Sequence, residues 1–446
     1  MNRQQRPSLL VPPSALATAA ASRRSFLRSA VLGGALLGSP ALLAACGGDD
    51  SGGGGGGSTK TVKFGVNEAK DSGPAYQRMK GFADAYTKKS GVKVSANYVD
   101  HNTFQESINT YLQGSPDDVF AWFAGYRMQQ FAEDGLLTDL SDLWPIDGMG
   151  DAFKEASTSS DGKQYLVPYD YYPWAVFYTK SLFDKNNWQP PTNYDDMVSL
   201  ADEMKGKGIA PFAFGDKDGW PAMGTFDILN MRINGFDFHM SLLGGDEAWD
   251  SNEVKKVFET WRNLLPYHQE DPLGRTWQET ATSLAKGEAG MMMFGTFIGD
   301  AIPDAIDDLD FFIYPQIDPS IPADSLDAPI DGFALASAGQ NQDAGKEFLK
   351  FLGTAEAQDA ANAAADAPMI AANENASQDS YSALQLKSAE VVGAAGHIAQ
   401  FLDRDTDTDF ASTVMIPSIQ DFLKNPDDID GLTKSIQEQK VSIFGS

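Results

Sequence analysis

The apolar residues of this chain switch between two spacings, and this switching constrains the fold more than any other feature of the sequence. Residues 61–66 place Val62, Phe64 and Val66 on one face, the period-two pattern of a half-buried strand. Residues 75–89 then space their apolar side chains as a helix does, and residues 92–98 return to the strand pattern. Units of this kind build an open α/β sheet, whose ligand crevice lies at the carboxyl ends of the strands.

The same alternation continues along the rest of the chain. Further strands are predicted at residues 118–123, 209–214, 289–294, 311–314 and 332–336. Further helices are predicted at residues 104–112, 127–134, 254–265, 280–286 and 343–352, and the tail after Glu356 is predicted to be mainly helical. Another helix is predicted to begin at Thr192, whose hydroxyl precedes Asp195 by three residues as in a capping box, and to end at Gly206.

The first 45 residues are predicted to be an export signal and not part of the fold. They contain five arginines and no acidic residue, and a small, apolar stretch occupies residues 29–45. Arg23 and Arg24 stand just before this stretch, in a segment that resembles the twin-arginine consensus. A membrane-spanning helix needs about 20 strongly apolar residues, and this interrupted stretch is shorter.

Cys46 follows the signal in a small-residue context that resembles a bacterial lipobox, in which the cysteine receives the lipid. It is the only cysteine of the chain, so it has no partner for an intramolecular disulfide. Residues 46–59 are mostly glycine, a composition typical of a flexible tether. The sequence therefore predicts an exported protein, anchored by lipid to the outer face of the cytoplasmic membrane and touching it in no other way.

The charge balance narrows the range of partners. Without the signal the chain keeps 29 basic against 62 acidic residues. Nucleic acids and anionic membrane surfaces require basic patches, so neither is predicted as a partner. About 385 residues remain after the tether. A single hydrophobic core seldom stabilises a chain of this length, so we predict two lobes.

One segment resembles the most recognisable stretch of the family 1 extracellular solute-binding proteins, the maltose-binding-like group. It comprises residues 165–183 (YLVPYDYYPWAVFYTKSLF) and 190–196 (PPTNYDD). Further landmarks follow the order of the family: DDVF at 117–120, DGLLTDL at 134–140, KGEAGMM at 286–292 and KEFLKFL at 346–352. None of these segments alone is specific for the family. Their occurrence in the order of the family, over nearly the whole mature chain, is specific for it.

The resemblance implies a two-lobed, periplasmic-binding-protein-like α/β fold with a ligand cleft between the lobes and hinge crossings. By analogy, lobe one comprises residues 60–169 and 312–352, and lobe two comprises residues 170–311 and 353–446. The chain would cross between them near residues 168–170, 310–314 and 353. The implied protein is a monomeric substrate-binding lipoprotein of an ABC importer, which captures a carbohydrate and delivers it to the permease subunits.

A sugar site needs flat aromatic faces for the C–H groups and short polar side chains for the hydroxyls. Aromatic candidates follow predicted strands or surround the first crossing: Trp122, Phe123, Tyr126, Tyr172, Trp174, Trp220 and Phe297. Polar candidates are Glu68, Arg127, Asp170, Asp218, Asp331 and Arg404, with Asp403 as an alternative to Arg404. An aromatic residue is more often core than ligand contact, and a position after a strand makes the two readings about equal. Phe297 stands where the resembled family usually has tryptophan.

No metal and no cofactor are predicted from the sequence. The acidic run at residues 403–409 invites a calcium-loop interpretation, but it lacks the glycine at the sixth place and has Val414 at the twelfth. The four histidines are scattered without the spacing of metal ligands: His101, His239, His268 and His397.

A secreted glycoside hydrolase is the main alternative, because paired carboxylates in an aromatic cleft also suit glycosidic cleavage. The nucleophile elbow, the HExxH zinc signature and the phosphate loop are absent from the sequence. We therefore predict a receptor without catalytic activity. A receptor for a non-sugar solute and a structural lipoprotein stay open as alternatives, and the sequence does not identify the carbohydrate.

Overall fold

The computed structural model describes residues 61–367 and 369–445. The predicted export signal, the lipid-attachment site at Cys46 and the glycine-rich tether lie outside the described residues. None of the described helices combines the length and the apolar character that crossing a membrane requires.

Strands and helices alternate through the described residues, and each kind is numbered in chain order. The strands are β1 Thr61–Val66, β2 Lys93–Tyr98, β3 Val119–Phe123, β4 Val167–Tyr171, β5 Trp174–Thr179, β6 Ala210–Phe212, β7 Ala289–Gly295, β8 Leu309–Phe312, β9 Ser325–Asp327, β10 Ile330–Leu335 and β11 His397–Ala399. The helices are α1 Pro74–Ser90, α2 His101–Gln113, α3 Tyr126–Glu133, α4 Asp151–Ala156, α5 Lys180–Asn186, α6 Tyr194–Gly206, α7 Pro221–Asn234, α8 Phe236–Leu243, α9 Asn252–Leu264, α10 Trp277–Ala285, α11 Ile298–Ala301, α12 Gln342–Leu352, α13 Ala355–Ala363, α14 Ala383–Gly393, α15 Leu402–Asp405, α16 Ile416–Lys424 and α17 Ile429–Phe444.

The first lobe is built on a sheet with the strand order β2-β1-β3-β10-β4. Strand β1 pairs in parallel with β2 and β3, whereas β10 runs antiparallel to β3 and β4. Helices cover the sheet, and the central strands are accordingly apolar. Phe64 of β1 packs edge-on against Phe333 of β10 and Phe348 of α12, which joins the sheet to its helical layer.

The second lobe is built on a separate sheet with the order β6-β7-β5-β8. All six residues of β5 are buried, and α7 is buried along nearly its whole length. Each sheet therefore has its own hydrophobic core, and the two-lobed α/β fold predicted from the sequence is confirmed. The first sheet ends at Tyr171 and the second begins at Trp174, so the chain first passes between the lobes at Tyr172 and Pro173.

The predicted final crossing near residue 353 is wrong. Helix α13, expected in lobe two, packs along α1, and its Ala357 and Ala361 belong to the core of the first lobe. Small residues allow this close approach, because a Cβ on Gly81 of α1 would lie 2.8 Å from the Cβ of Ala364. The chain reaches the core of the second lobe only at Leu384 of α14. The remaining lobe boundaries stay predictions.

The predicted start of one helix is also corrected. Helix α6 is capped by Asn193 and not by Thr192, since the Asn193 side chain accepts from the backbone N–H of Asp196 at 2.9 Å. This is the usual reach of an N-cap side chain to the third helical residue.

Candidate functional site

A cavity of about 400 Å³ lies between the two lobes. The first lobe contributes residues that follow its strands, among them Glu68 after β1 and Phe123 at the end of β3. The second lobe contributes Trp174 at the start of β5 and Trp220 just before α7. The carboxyl ends of strands and the crossing between lobes therefore meet at one place, as expected for the ligand crevice of an open α/β sheet.

The second lobe gives the cavity an aromatic wall. The ring of Phe297 lies 6.2 Å from that of Trp220, 6.2 Å from that of Trp174 and 5.5 Å from that of Trp277, between ring centres. Tyr172, from the crossing, meets the Phe297 ring edge-on at 5.1 Å. These partly or fully buried rings form a continuous apolar surface that suits the C–H face of a ring-shaped ligand.

The first lobe contributes a group of carboxyls to the cavity. Glu68, Asp170 and Asp331 all line it, and all three keep part of their surface open to the cavity. Burial within the molecule raises the pKa of Glu68 to about 8, with repulsion from Asp300 adding to the rise. Burial also raises the pKa of Asp170 well above its ordinary range, with repulsion from Asp331 adding to it. Protonated carboxyls at these positions both donate to and accept from hydroxyl groups.

Arg404 of α15 links the aromatic and acidic parts of the wall. Its Nη1 lies 2.7 Å from Oδ1 of Asp331, and its Nη2 donates to the hydroxyl of Tyr172 at 3.1 Å. The guanidinium also lies over the ring of Phe123, 4.1 Å from the ring centre. These contacts hold three side chains of the cavity in fixed positions, which preorganises the site.

Besides the Arg404–Asp331 pair, further polar contacts join the lobes around the cavity. Arg78 of α1 forms an ion pair with Asp300 of α11, the Nη2–Oδ2 distance being 2.8 Å. Asn102 of α2 donates to Asp218 at 3.2 Å. Arg127 of α3 lies 2.9 Å from Asp403 of α15. The lobes are thus held closed by charged and polar groups, not by apolar contacts alone.

Nine of the thirteen residues predicted from the sequence line this cavity. They are Glu68, Phe123, Asp170, Tyr172, Trp174, Trp220, Phe297, Asp331 and Arg404. Whether each contacts a ligand stays a prediction.

The other four predicted residues do not line the cavity. Trp122 is 1% exposed and packs in a core cluster of the first lobe, with its ring centre 4.9 Å from that of Phe123 and 5.4 Å from that of Phe131. Tyr126 is the first residue of α3 and lies away from the lining. Arg127 donates to the side chains of Asp403 and Gln105. Asp218 accepts a hydrogen bond from the side chain of Asn102.

Several lining residues were missed by the sequence analysis. The most consequential are Arg78, His101, Trp277 and Asp300, which lie on or beside helices far apart in the chain. Burial lowers the pKa of His101, whose ring lies 6.4 Å from that of Trp220. No local pattern distinguishes such residues from other helical side chains, so only the fold brings them together.

The acidic run at residues 403–409 is occupied by its own hydrogen bonds. Asp403 binds Arg127, and Asp405 accepts from the backbone N–H groups of Gln400 and Phe401. Among the described residues, these aspartates do not converge as a metal-ligand group. Asp403 places this run at the edge of the cavity.

Comparison with known proteins relates the chain to one family. A family model described as bacterial extracellular solute-binding protein matches residues 70–359. An uncharacterized ABC transporter extracellular-binding protein of Pyrococcus horikoshii is 28% identical over 295 residues, which are 63% of this chain and 66% of the relative. The match thus spans just under two thirds of the length of that relative.

Solved structures give longer matches. The bacterial solute receptor AcbH, described as having an exclusive substrate preference for β-D-galactopyranose, is 40% identical with a TM-score of 0.84. The match covers 86% of this chain and 100% of AcbH. A chitin oligosaccharide binding protein has the same fold at 21% identity and a TM-score of 0.75, over 85% of this chain and 98% of its own.

Proposed function

This chain belongs to the bacterial extracellular solute-binding protein family, and from that membership we propose that it is the extracytoplasmic receptor of an ABC importer, which captures a carbohydrate. The family resemblance found in the sequence is thereby confirmed. The receptor would act as a monomer and deliver its ligand to the permease subunits, which are separate chains.

The observation that carries this proposal is the pairing of an aromatic wall with a group of carboxyls across one cavity. A pyranose ring offers apolar C–H faces that stack on the rings of Trp220 and Phe297. Its hydroxyls would bind Glu68, Asp170 and Asp331 on the opposite wall. Arg404 is held by Asp331 and adds hydrogen-bond donors to the same side.

The size of the cavity favours a small sugar. Its volume of about 400 Å³ lies near the lower end of the usual 300–1,000 Å³ of ligand sites. The 40% identical receptor AcbH is described as preferring β-D-galactopyranose, so a β-D-hexopyranose is the first candidate ligand. Binding would favour the closed arrangement of the lobes, and closure would report occupancy to the permease.

The acid–base character of the cavity supports a receptor over a glycoside hydrolase. A retaining or inverting hydrolase needs one protonated carboxyl and one ionised carboxylate that is free to act as nucleophile or base. Here burial raises the pKa of both Glu68 and Asp170, and Asp331 is held by Arg404. These three carboxyls are therefore suited to hydrogen bonding with sugar hydroxyls, which supports a receptor.

Attachment to the membrane is proposed from the sequence alone. The twin-arginine-like signal would export the chain, and the lipid on Cys46 would hold it at the outer face of the cytoplasmic membrane. The glycine-rich residues 46–59 would let the receptor reach its permease.

A thermal-shift screen of the protein against mono- and oligosaccharides tests the function. A ligand that binds only the folded state raises the melting temperature by mass action. We expect a clear rise with β-D-galactose or a related hexopyranose and no product in the same samples by chromatography. Release of a cleaved product from any oligosaccharide would establish the hydrolase instead, and no rise with any sugar would establish a non-sugar ligand or a structural role.

A further inference from the structure

A second cluster of polar side chains lies outside the cavity, within the second lobe. It contains Asp227 of α7, His239 of α8 and Asp327 of β9, each with 0% exposure. One donor atom from each residue lies within 4.8 Å of the other two. The distance between Nε2 of His239 and Oδ1 of Asp227 is 3.8 Å. Side chains from three separate elements thus converge on one buried point.

Most of the converging atoms have no hydrogen-bond partner among the described residues. This holds for Oδ1 of Asp227, both carboxylate oxygens of Asp327, Nε2 of His239 and Nη2 of the neighbouring Arg232. An ionised carboxylate buried without a partner costs several kcal/mol, so proteins normally satisfy such groups with water or an ion. A fully buried aspartate whose two carboxylate oxygens have no hydrogen-bond partner therefore indicates a binding site for an ion or a water molecule.

The surrounding side chains indicate which charge the bound group would carry. Asp227 and Asp327 both bring carboxylate oxygens to this point, and neither of these oxygens has a hydrogen-bond partner among the described residues. Arg232 is the nearest counter-charge, and its guanidinium is directed to the carbonyl of Tyr314 and the hydroxyl of Ser325. Neither Asp227 nor Asp327 forms an ion pair with a lysine or arginine among the described residues, so a divalent cation would supply the positive charge that these carboxylates lack.

We propose that Asp227, His239 and Asp327 bind a divalent transition-metal ion, of the class of Zn²⁺ or Mn²⁺. Imidazole nitrogen with two carboxylates is a donor set that such ions accept, whereas Ca²⁺ and Mg²⁺ prefer oxygen alone. Ligand atoms about 2.0–2.2 Å from an ion are roughly 3–4 Å apart, so the 3.8 Å separation of Nε2 and Oδ1 fits one ion. Donor atoms of the group that are up to 4.8 Å apart would move closer together on binding.

Metal binding also fixes the protonation of His239. An ion on Nε2 requires the proton on Nδ1, where Asn230 would accept it through its amide oxygen. In the structure the amide nitrogen of Asn230 faces Nδ1 at 3.1 Å, while its oxygen accepts from Asn234. Loading the site would therefore turn the Asn230 amide by half a rotation, and Asn234 would keep its hydrogen bond to the carbonyl of Glu253.

The ion would stabilise two of the elements that position residues of the cavity wall. Asp227 accepts from the backbone N–H of Leu402 at 2.7 Å, and Leu402 begins α15, the helix that carries Arg404. Asp227 itself lies on α7, whose first turn follows Trp220. An ion between α7, α8 and β9 would hold two parts of the sugar site in register, without touching the ligand.

Elemental analysis of the full-length protein, purified without chelators, tests this proposal. We expect about one equivalent of zinc or manganese per chain. Chelation with EDTA should lower the melting temperature by several degrees, and either ion should restore it, because the ion binds only the folded state. These measurements need no variant, so they decide the question even if substitutions prevent folding.

Matched substitutions then locate the ion. His239→Gln and Asp327→Asn should lose the metal and the response to EDTA. His268→Gln should keep both, since His268 is also a buried histidine but belongs to no such group among the described residues. Absence of metal from the wild-type protein, together with an unchanged melting temperature on adding zinc or manganese, would overturn the proposal and leave protonated carboxyls as the explanation. Equal metal content in all variants would overturn it as well, by placing the ion elsewhere.

Discussion

Arg78 of the first lobe and Asp300 of the second form a bidentate ion pair across the mouth of the cavity. The distances are 2.8 Å from Nη2 to Oδ2 and 3.2 Å from Nη1 to Oδ1. Arg78 is nearly buried and also donates to the carbonyl of Ala367 at 2.7 Å. Opening of the lobes would separate the pair, so this contact stabilises the closed arrangement specifically.

Asp300→Asn should therefore shift the protein towards an open arrangement. Truncating one partner of a buried charge pair costs about 2–5 kcal/mol, largely because the other charge stays buried. We expect a larger radius of gyration by small-angle X-ray scattering and sugar binding weakened by at least about tenfold, or 1.4 kcal/mol. Glu356→Gln, which removes an exposed pair with Lys89, should change neither. Unchanged scattering and affinity in Asp300→Asn would show that the pair does not control closure.

The raised pKa of Glu68 predicts a pH-dependent stability. Its pKa is about 8 in the folded protein against 4.5 for the free side chain, so the folded state binds more protons between these values. The free energy of unfolding should therefore fall as pH rises from about 4.5 to 8 and level off above. Asp170 acts in the same direction.

Glu68→Gln removes this contribution, so its stability should depend less steeply on pH over the same range. Urea unfolding at a series of pH values measures the slope. Glu155→Gln, an exposed carboxylate on α4, serves as the control and should keep the wild-type slope. Parallel curves for Glu68→Gln and the wild type would contradict the assignment of the proton to Glu68.

The periodic part of the sequence predicted the fold well, because most elements bury one face only. Strand β1 and helix α1 were found within one residue of their ends. Helices α7 and α8 were missed for the opposite reason: Met223, Ile228 and Leu229 are buried on different sides of α7, so it has no polar face. A helix buried all round shows no amphipathic period and cannot be found by one.

The site could be predicted only where local rules apply. Phe123 and Trp122 are neighbours in β3 and pack in the same core cluster, with ring centres 4.9 Å apart. The sequence did not show which of them lines the cavity, and in the structure it is Phe123. Arg78 and Asp300 are 222 residues apart and carry no motif, so their pairing depends on the docking of the two lobes.

The predicted lipid anchor is tested by Cys46→Ser. Without the thiol no acyl chain can be attached, so the exported protein should move from the membrane fraction to the medium. Immunoblotting of both fractions, with unchanged total protein, measures the shift. Arg23→Lys with Arg24→Lys is a separate test, which should block export through the twin-arginine pathway and leave precursor inside the cell. Retention of Cys46→Ser on the membrane would rule out the anchor.

Trp220→Ala should weaken sugar binding by at least about tenfold, or 1.4 kcal/mol, because it removes one stacking face from the aromatic wall. Trp220→Phe keeps a smaller ring and should lose less. Trp188→Phe is a suitable control, since Trp188 is buried in the second lobe outside the cavity lining. Calorimetric titration with the identified sugar gives the three affinities. If Trp220→Ala bound the sugar with the affinity of the wild type, Trp220 would not be a ligand contact.

Gly224 of α7 sets the position of Trp174 in the cavity wall. A Cβ on Gly224 would lie 2.4 Å from Nε1 of Trp174, too close for any real contact. The indole cannot retreat, because it packs against Phe294 and Phe401 with ring centres 4.9 Å away in both cases. Gly224→Ala must therefore push the indole towards the cavity or strain α7.

Overpacking of this kind costs about 1–3 kcal/mol, so Gly224→Ala should lower both the melting temperature and the affinity for the sugar. Gly206→Ala, at the last residue of α6, meets no atom within 4 Å and should be neutral or stabilising by up to about 1 kcal/mol. Differential scanning calorimetry and calorimetric titration separate the two effects. A loss of stability with wild-type affinity would mean that α7 absorbs the strain; a loss of affinity would show that Trp174 must stay in place for the sugar to stack.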